Sequence, residues 1–149
     1  MTTILTTQDD ERFIQLSERL NLEYLENIGD IANNYLEYNA IIEPHTVFLE
    51  LDEDVPIACG SFREIDDDSV EIRRLFVVKE HRRKNIALKI MKKLEKEAVS
   101  KGYSSAYLVT GIENKASNSL YKKLGYSYIE IFGQFKGDDL CVCMKKNLK

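Results

Sequence analysis

Cysteine, proline and glycine are scarce in this sequence, at 3, 2 and 7 residues of 149, and tryptophan is absent. Three cysteines are too few, and too odd in number, for a disulfide scaffold. So little glycine and proline excludes collagen-like and low-complexity chains. No run approaches the roughly 20 apolar residues that a bilayer-spanning helix needs, so no membrane partner is expected. Residues Met1 to Asp10 carry neither a basic start nor a long apolar stretch. A secretory signal is therefore not expected, and a cytoplasmic location is. What is present, 149 residues of which 44% are apolar, suits one domain over residues 1–149 with a core that needs no staples.

The net charge of −4 conceals a segregation. Residues 1–72 hold 3 Lys/Arg and 18 Asp/Glu, whereas residues 73–149 hold 18 and 7. Folding can interleave the two halves so that they offset each other. The sharper reading is an anion site in the second half. Nucleic acid is not the favoured anion, because the basic residues gather at one helix start and along one helix face without interleaved aromatics.

Periodicity gives an α/β domain without internal repeats. A short strand is expected around Ile4-Leu5. Phe13, Leu16 and Leu20 then recur at helical spacing behind Gln8-Asp9-Asp10, and a second helix is expected from Leu22 to Tyr38, weakened in its middle by Gly29. Thr46–Leu51, Val55–Ile65 and Ser69–Val78 read as an antiparallel meander with acidic turns. From about Lys84, the residues Ile86, Ala87, Ile90, Met91, Leu94 and Ala98 make one apolar helix stripe, which Gly102 ends. A strand at Ala106–Thr110, a short helix through Ala116, Leu120, Tyr121 and Leu124 stopped by Gly125, and strands at Tyr126–Phe132 and Asp139–Met144 complete the order.

Chemistry concentrates where the third meander strand enters the apolar helix, Leu75-Phe-Val-Val-Lys-Glu-His-Arg-Arg-Lys-Asn-Ile-Ala-Leu88. A helix start presents unpaired N–H groups and a positive dipole end, which suit a phosphate. Arg82, Arg83 and Lys84 add full charges there. Asn85 tolerates a left-handed backbone, and Ala87 is small enough to admit a pyrophosphate. His81 is expected in the same loop. The nucleotide P-loop and the Gly-x-Gly-x-x-Gly turn are both absent.

This segment resembles the cofactor loop of the GNAT superfamily of acyl-CoA-dependent N-acyltransferases. The family pattern Gln/Arg-x-x-Gly-x-Gly/Ala reads here Arg82-Arg83-Lys84-Asn85-Ile86-Ala87, with Asn85 for the central glycine and Arg83 at a second position that is often glycine. Asn114-Lys-Ala-Ser-Asn-Ser-Leu-Tyr-Lys-Lys-Leu-Gly-Tyr126 resembles the family's Asn-x-x-Ala-x-x-Leu-Tyr-x-x-x-Gly-Phe/Tyr segment, with Ser117 for alanine. Glu71-Ile-Arg-Arg-Leu-Phe-Val77 resembles its central strand. The order and spacing of the three segments agree. The resemblance implies a mixed, mostly antiparallel sheet of roughly six or seven strands with helices on both faces.

It also implies acetyl-CoA as acetyl donor, no metal, and an amine acceptor, with a homodimer as the assembly left open. The backbone of Leu75, Phe76 and Val77 would bond the pantetheine arm, and the Val77 N–H would polarise the thioester carbonyl. Amides from Arg83, Lys84, Asn85, Ile86, Ala87 and Leu88 would hold the pyrophosphate beside Arg82, and Asn114 would meet a pantetheine amide. An ammonium must lose a proton before it attacks, and Glu71, eleven residues before Arg82, is the candidate base. Period 2 places Glu71, Arg73, Leu75 and Val77 on one strand face. Tyr121 is the candidate acid for the leaving thiolate, and it reads equally as a core aromatic. Cys59, Cys141 and Cys143 read as buried fillers. Tyr35, Tyr38, Asn39, Arg73 and Gln134 are candidates for the acceptor cleft, and Glu71 beside Arg73 suits a small zwitterionic amine. A protein N-terminus, a lysine, or a non-catalytic CoA-binding role are the alternatives.

Overall fold

The computed structural model describes residues 1–35, 39–40, 43–112, 114–130 and 139–149. The β-rich segments form β1 (Thr2–Thr7), β2 (Thr46–Asp52), β3 (Val55–Asp66), β4 (Ser69–Val77), β5 (Ser105–Gly111), β6 (Ser127–Ile129) and β7 (Cys141–Asn147). Among the described residues they make one seven-stranded sheet in the order β1-β2-β3-β4-β5-β7-β6. β1 to β4 are antiparallel neighbours, as expected of the meander. The turn between β2 and β3 has φ of 49° at Glu53 and 69° at Asp54, the left-handed pair that a two-residue hairpin requires. Among the described strands only β4 and β5 run parallel, because a helix crosses over between them.

Among the described residues three α-helices flank the sheet: α1 (Glu11–Ile28), α2 (Ile86–Ser100) and α3 (Lys115–Lys123). Asp10 caps α1 by accepting from the Arg12 N–H at 2.9 Å, and the same side chain pairs with the Arg12 guanidinium at 2.7 Å. The expected break between two early helices does not occur. No glycine or proline separates Leu20 from Leu22, so α1 runs on to Ile28 and ends where Gly29 takes φ 64° and donates to the Leu25 carbonyl. Gly29 thus terminates a helix rather than weakening one, and a 3-10 segment, Gly29–Tyr35, follows. Tyr38, the expected helix end, lies outside the described residues.

α2 buries Ile86, Ile90, Met91, Leu94 and Ala98. Each of the four larger side chains contributes about 1.5–3 kcal/mol, and the Ala98 methyl less. The fit is close at Gly60 of β3, where a Cβ would stand 2.7 Å from Ile90 Cγ2 and 3.0 Å from Leu94 Cδ1. α1 covers the opposite face, packing Phe13, Leu16 and Leu20 towards β3 and β4.

Two irregularities shape the centre of the sheet. Cys59 faces Phe76 and Ser61 faces Arg73, so Arg74 and Leu75 together stand against Gly60 alone. Arg74 carries this bulge at φ 57°. A bulge advances the alternation by one residue. Glu71, Arg73 and Phe76 therefore share the α1 face, while Leu75 and Val77 share the α2 face. The single face expected for Glu71, Arg73, Leu75 and Val77 is corrected accordingly. In addition, β4 pairs with β5 only from Ser69–Glu71 to Ser105–Tyr107. Beyond that register the two strands diverge, and a cleft opens through the sheet.

Candidate active site

β4 leaves the sheet into a 3-10 turn, Lys79–His81, and a loop that ends at α2. In that loop Arg83 has φ 65° and Asn85 has φ 61°. These are the two positions where the family pattern favours glycine. Both residues hold the left-handed backbone that glycine adopts without cost, so the turn is kept at the expense of local strain. Asn85 stands at the N-cap without a side-chain cap bond. The first helical closure is the Lys89 N–H to the Asn85 carbonyl, 3.1 Å. The N–H groups of Ile86, Ala87 and Leu88 precede it and are available to an anion.

These residues line a cavity of about 260 Å³ together with Val77, His81, Arg82, Arg83, Ala116 and Leu120. His81 thus sits in the loop as expected, 3.3 Å from Asp52. Arg82 turns back towards the sheet. Its Nε donates to the Val77 carbonyl at 2.9 Å, its Nη2 meets Glu23 at 2.6 Å, and its guanidinium stacks 5.7 Å from the Phe76 ring centre. Arg82 therefore ties the loop to β4 and α1, and Arg83 and Lys84 are exposed beside it.

α3 borders the cleft from the other side. Asn114 caps it by accepting from the Ser117 N–H at 3.2 Å, so its amide NH₂ is the group that remains for a ligand carbonyl. Tyr121 is buried, with its ring 6.0 Å from Tyr126 in an edge-on contact. Burial, reinforced by nearby Tyr24, pushes its phenol well above the ordinary tyrosine value. At neutral pH that phenol keeps its proton. It is suited to donating a hydrogen bond to a thiolate and holds its proton more tightly than an ordinary thiol does.

On the α1 face, Glu71 is fully buried and accepts from Arg63 Nε at 2.8 Å. The same Arg63 nitrogen lies 3.4 Å from Glu43, and Arg73 Nη1 lies 3.0 Å from Glu43. Glu43, Arg63, Glu71 and Arg73 form one alternating network. Arg74 projects to α1, donating to the Ser17 carbonyl at 2.7 Å and to Asn21 at 2.6 Å. Tyr35 reaches Cys141, whose thiol lies 3.7 Å from its hydroxyl. Asn39 is half-buried. Tyr38 and Gln134 lie outside the described residues.

Sequence reasoning missed Glu43, Arg63 and Tyr24. One signal was available for Arg63, the only Lys or Arg between positions 20 and 72 and hence the natural partner of a carboxylate on a neighbouring strand. Cys59 is buried, and burial pushes its thiol up to about 12, so it is no nucleophile at neutral pH. Among the described residues no cluster of His, Cys, Asp and Glu is arranged to hold a metal ion, and no helix is long and apolar enough to cross a membrane.

A sheet parted between β4 and β5, with a left-handed turn feeding a helix start beside the gap, defines an acyl-CoA-dependent transferase fold. Residues 13–126 match the acetyltransferase (GNAT) family, to which this chain belongs. The uncharacterized N-acetyltransferase YsnE of Bacillus subtilis (strain 168) is 30% identical over 92 residues, spanning 60% of this chain and 61% of that protein. The IAA acetyltransferase of Azospirillum brasilense is 28% identical over 141 residues, 91% of this chain and 90% of that protein. The fold is shared with a GNAT acetyltransferase of Staphylococcus aureus Mu50, with TM-score 0.75, 14% identity and coverage of 99% and 100% of the two chains. It is shared equally with a GNAT acetyltransferase of Elizabethkingia anophelis solved with acetyl-CoA bound, with TM-score 0.71, 16% identity and coverage of 98% and 97%.

Proposed function

We propose that this protein transfers the acetyl group of acetyl-CoA to the primary amine of a small molecule by direct attack. The observation that carries the reading is the left-handed turn at Arg83 and Asn85, which aims the first amides of α2 into a cavity beside the split in the sheet. Relatives of the same fold bind coenzyme A or acetyl-CoA, and the residues here fit that group. The amides of Ile86–Leu88, with Arg83 and Lys84, would hold its diphosphate. The open edge of Leu75–Val77 would hold its pantetheine arm, and the Asn114 amide NH₂ would reach a carbonyl of that arm.

When bound, the coenzyme supplies an acetyl thioester. The bulge places Glu71 on the α1 face and Val77 on the α2 face, so acceptor and donor approach the gap from opposite sides. In the transfer a C–N bond forms, the C–S bond breaks, and the electron pair leaves on sulfur. Glu71 takes the ammonium proton, and for this the Arg63 guanidinium must shift away from it. The second proton that the nitrogen sheds as the amide forms would pass to the thiolate, to which Tyr121 would donate a hydrogen bond. No covalent intermediate is needed, in keeping with the inert Cys59.

The test is thiol release from acetyl-CoA in the presence of a panel of primary amines and N-terminal peptides. Amine-dependent release with a small molecule supports the proposal. Release with peptides alone assigns a protein acceptor, and binding without release assigns a coenzyme sensor.

A further inference from the structure

The network on the α1 face has an order that a purely structural ion pair does not need. Glu71 and Arg73 have side-chain exposures of 1% and 4%, whereas Arg63 and Glu43 have 30% and 34%. The buried half sits on β4 at the start of the cleft. The accessible half is β3's Arg63 and a glutamate from the segment that precedes β2. One oxygen of Glu43 approaches both guanidiniums, at 3.0 Å from Arg73 and 3.4 Å from Arg63. Arg63 Nε thus approaches two carboxylates, with Glu71 at 2.8 Å. Buried ion pairs stabilise folds poorly, since desolvation offsets their attraction. Their place where β4 and β5 stop pairing points to recognition.

We infer that the acceptor is an amino acid, its carboxylate and amine one or two carbons apart, and that Glu43 occupies the place its carboxylate takes. This rests on the acetyltransferase reading above and adds the substrate class to it. The acceptor carboxylate displaces Glu43 from Arg73 and Arg63, and the ammonium lies against Glu71. Both carboxylates lie within 3.4 Å of the same Arg63 nitrogen, so the places proposed for the two ends of the acceptor are close neighbours. Displacing Glu43 takes one carboxylate from two guanidiniums. An incoming carboxylate restores the balance, and a simple monoamine does not. Guanidinium forks bind carboxylates well. Withdrawing Arg63 towards the acceptor also loosens it from Glu71, so the base is released when the right acceptor is in place.

The test compares phenylalanine, methionine, glutamate and β-alanine with their primary amides, which keep the shape and remove the charge at one end. Acetyl-CoA is held saturating, and acetyl-CoA binding is measured in parallel by calorimetry. The wild-type protein is expected to acetylate at least one amino acid with kcat/KM about 10-fold or more above its amide. Arg73→Gln should bring that ratio to about one, an effect that a merely structural arginine, which would depress both substrates alike, does not produce. Glu43→Gln should lower KM for the amino acid about 3-fold or more while preserving the ratio. Amides used as well as the acids overturn the inference, as does a ratio that survives Arg73→Gln. If Arg73→Gln does not fold, the wild-type ratio decides alone. Acetyl-CoA binding without transfer to any of the amino acids overturns the substrate class and leaves the acetyltransferase reading intact. Absence of acetyl-CoA binding overturns both.

Discussion

Asn85 and Arg83 are non-glycine residues held at φ 61° and 65°, and this strain has measurable consequences. Asn85→Gly relieves it without removing any cap bond. It should raise stability by about 1 kcal/mol, or about 2–4 °C in Tm, and leave acetyl-CoA binding intact. Asn85→Val should destabilise, because a β-branched residue is disfavoured in that conformation. Loss of binding in a well-folded Asn85→Gly variant would show that the loop is misassigned. Glu71→Gln keeps the shape of the base and removes its basicity. Turnover should fall about 10²-fold or more at neutral pH and recover in part as pH rises and free amine accumulates, with acetyl-CoA affinity little changed. Full turnover across the pH range would remove Glu71 from the mechanism.

His45 offers a stability test with a defined sign. It is buried, its Nδ1 lies 2.8 Å from the Glu43 carbonyl, and burial, with Arg73 also contributing, holds its pKa below the usual histidine value. The folded state therefore favours the neutral ring. The stability this confers is present above the unfolded pKa of about 6.5 and is lost as pH falls below it towards the folded value. Denaturant midpoints should drop between pH 7.5 and 5.5, and the drop should be smaller in His45→Gln. An equal drop in both proteins would place the acid sensitivity elsewhere.

Among the elements, α1 was misread from sequence and α2 was not, for physical reasons. α2 has an uninterrupted apolar stripe, and Gly102 stands just past its end with φ 96°. α1 buries only its first half, at Phe13, Leu16, Ser17 and Leu20, while Leu22, Leu25 and Ile28 are exposed. Its apolar pattern drifts, and a drift looks like two helices when no breaker marks the boundary. The start of α1 was legible from Asp10. Asp10→Ala should cost about 1 kcal/mol at neutral pH by urea unfolding. Arg12 and Thr6 hold the Asp10 carboxyl well below the usual range, so the difference between variant and wild type should shrink as pH is lowered towards and below the unfolded value of about 3.9. A difference that persists unchanged there would mean that the cap acts through packing. The bulge in β4 was not legible at all. Arg74 adopts φ 57° with no glycine or asparagine to signal it, and period 2 carried straight through it put Glu71 on the wrong face relative to Val77.

For the molecule as a whole, the segregated charge resolves into two proposed sites divided by the sheet. The basic second half supplies Arg83, Lys84 and the amides of α2 to one side of the gap. The acidic first half supplies Glu43, which meets Arg63 and Arg73 on the other. The motifs that mark the proposed coenzyme side are local in sequence, so the turn and helix start there were legible. The proposed acceptor side is assembled from β3, β4 and the approach to β2, and no spacing rule joins Glu43, Arg63 and Glu71. The most direct measurement of the central claim is a calorimetric titration of the purified protein with acetyl-CoA, with Tm followed at the same concentrations. One saturable site and a Tm that rises with ligand concentration are expected, as for any ligand bound only by the folded state. No heat and no shift in Tm at millimolar acetyl-CoA would contradict the account.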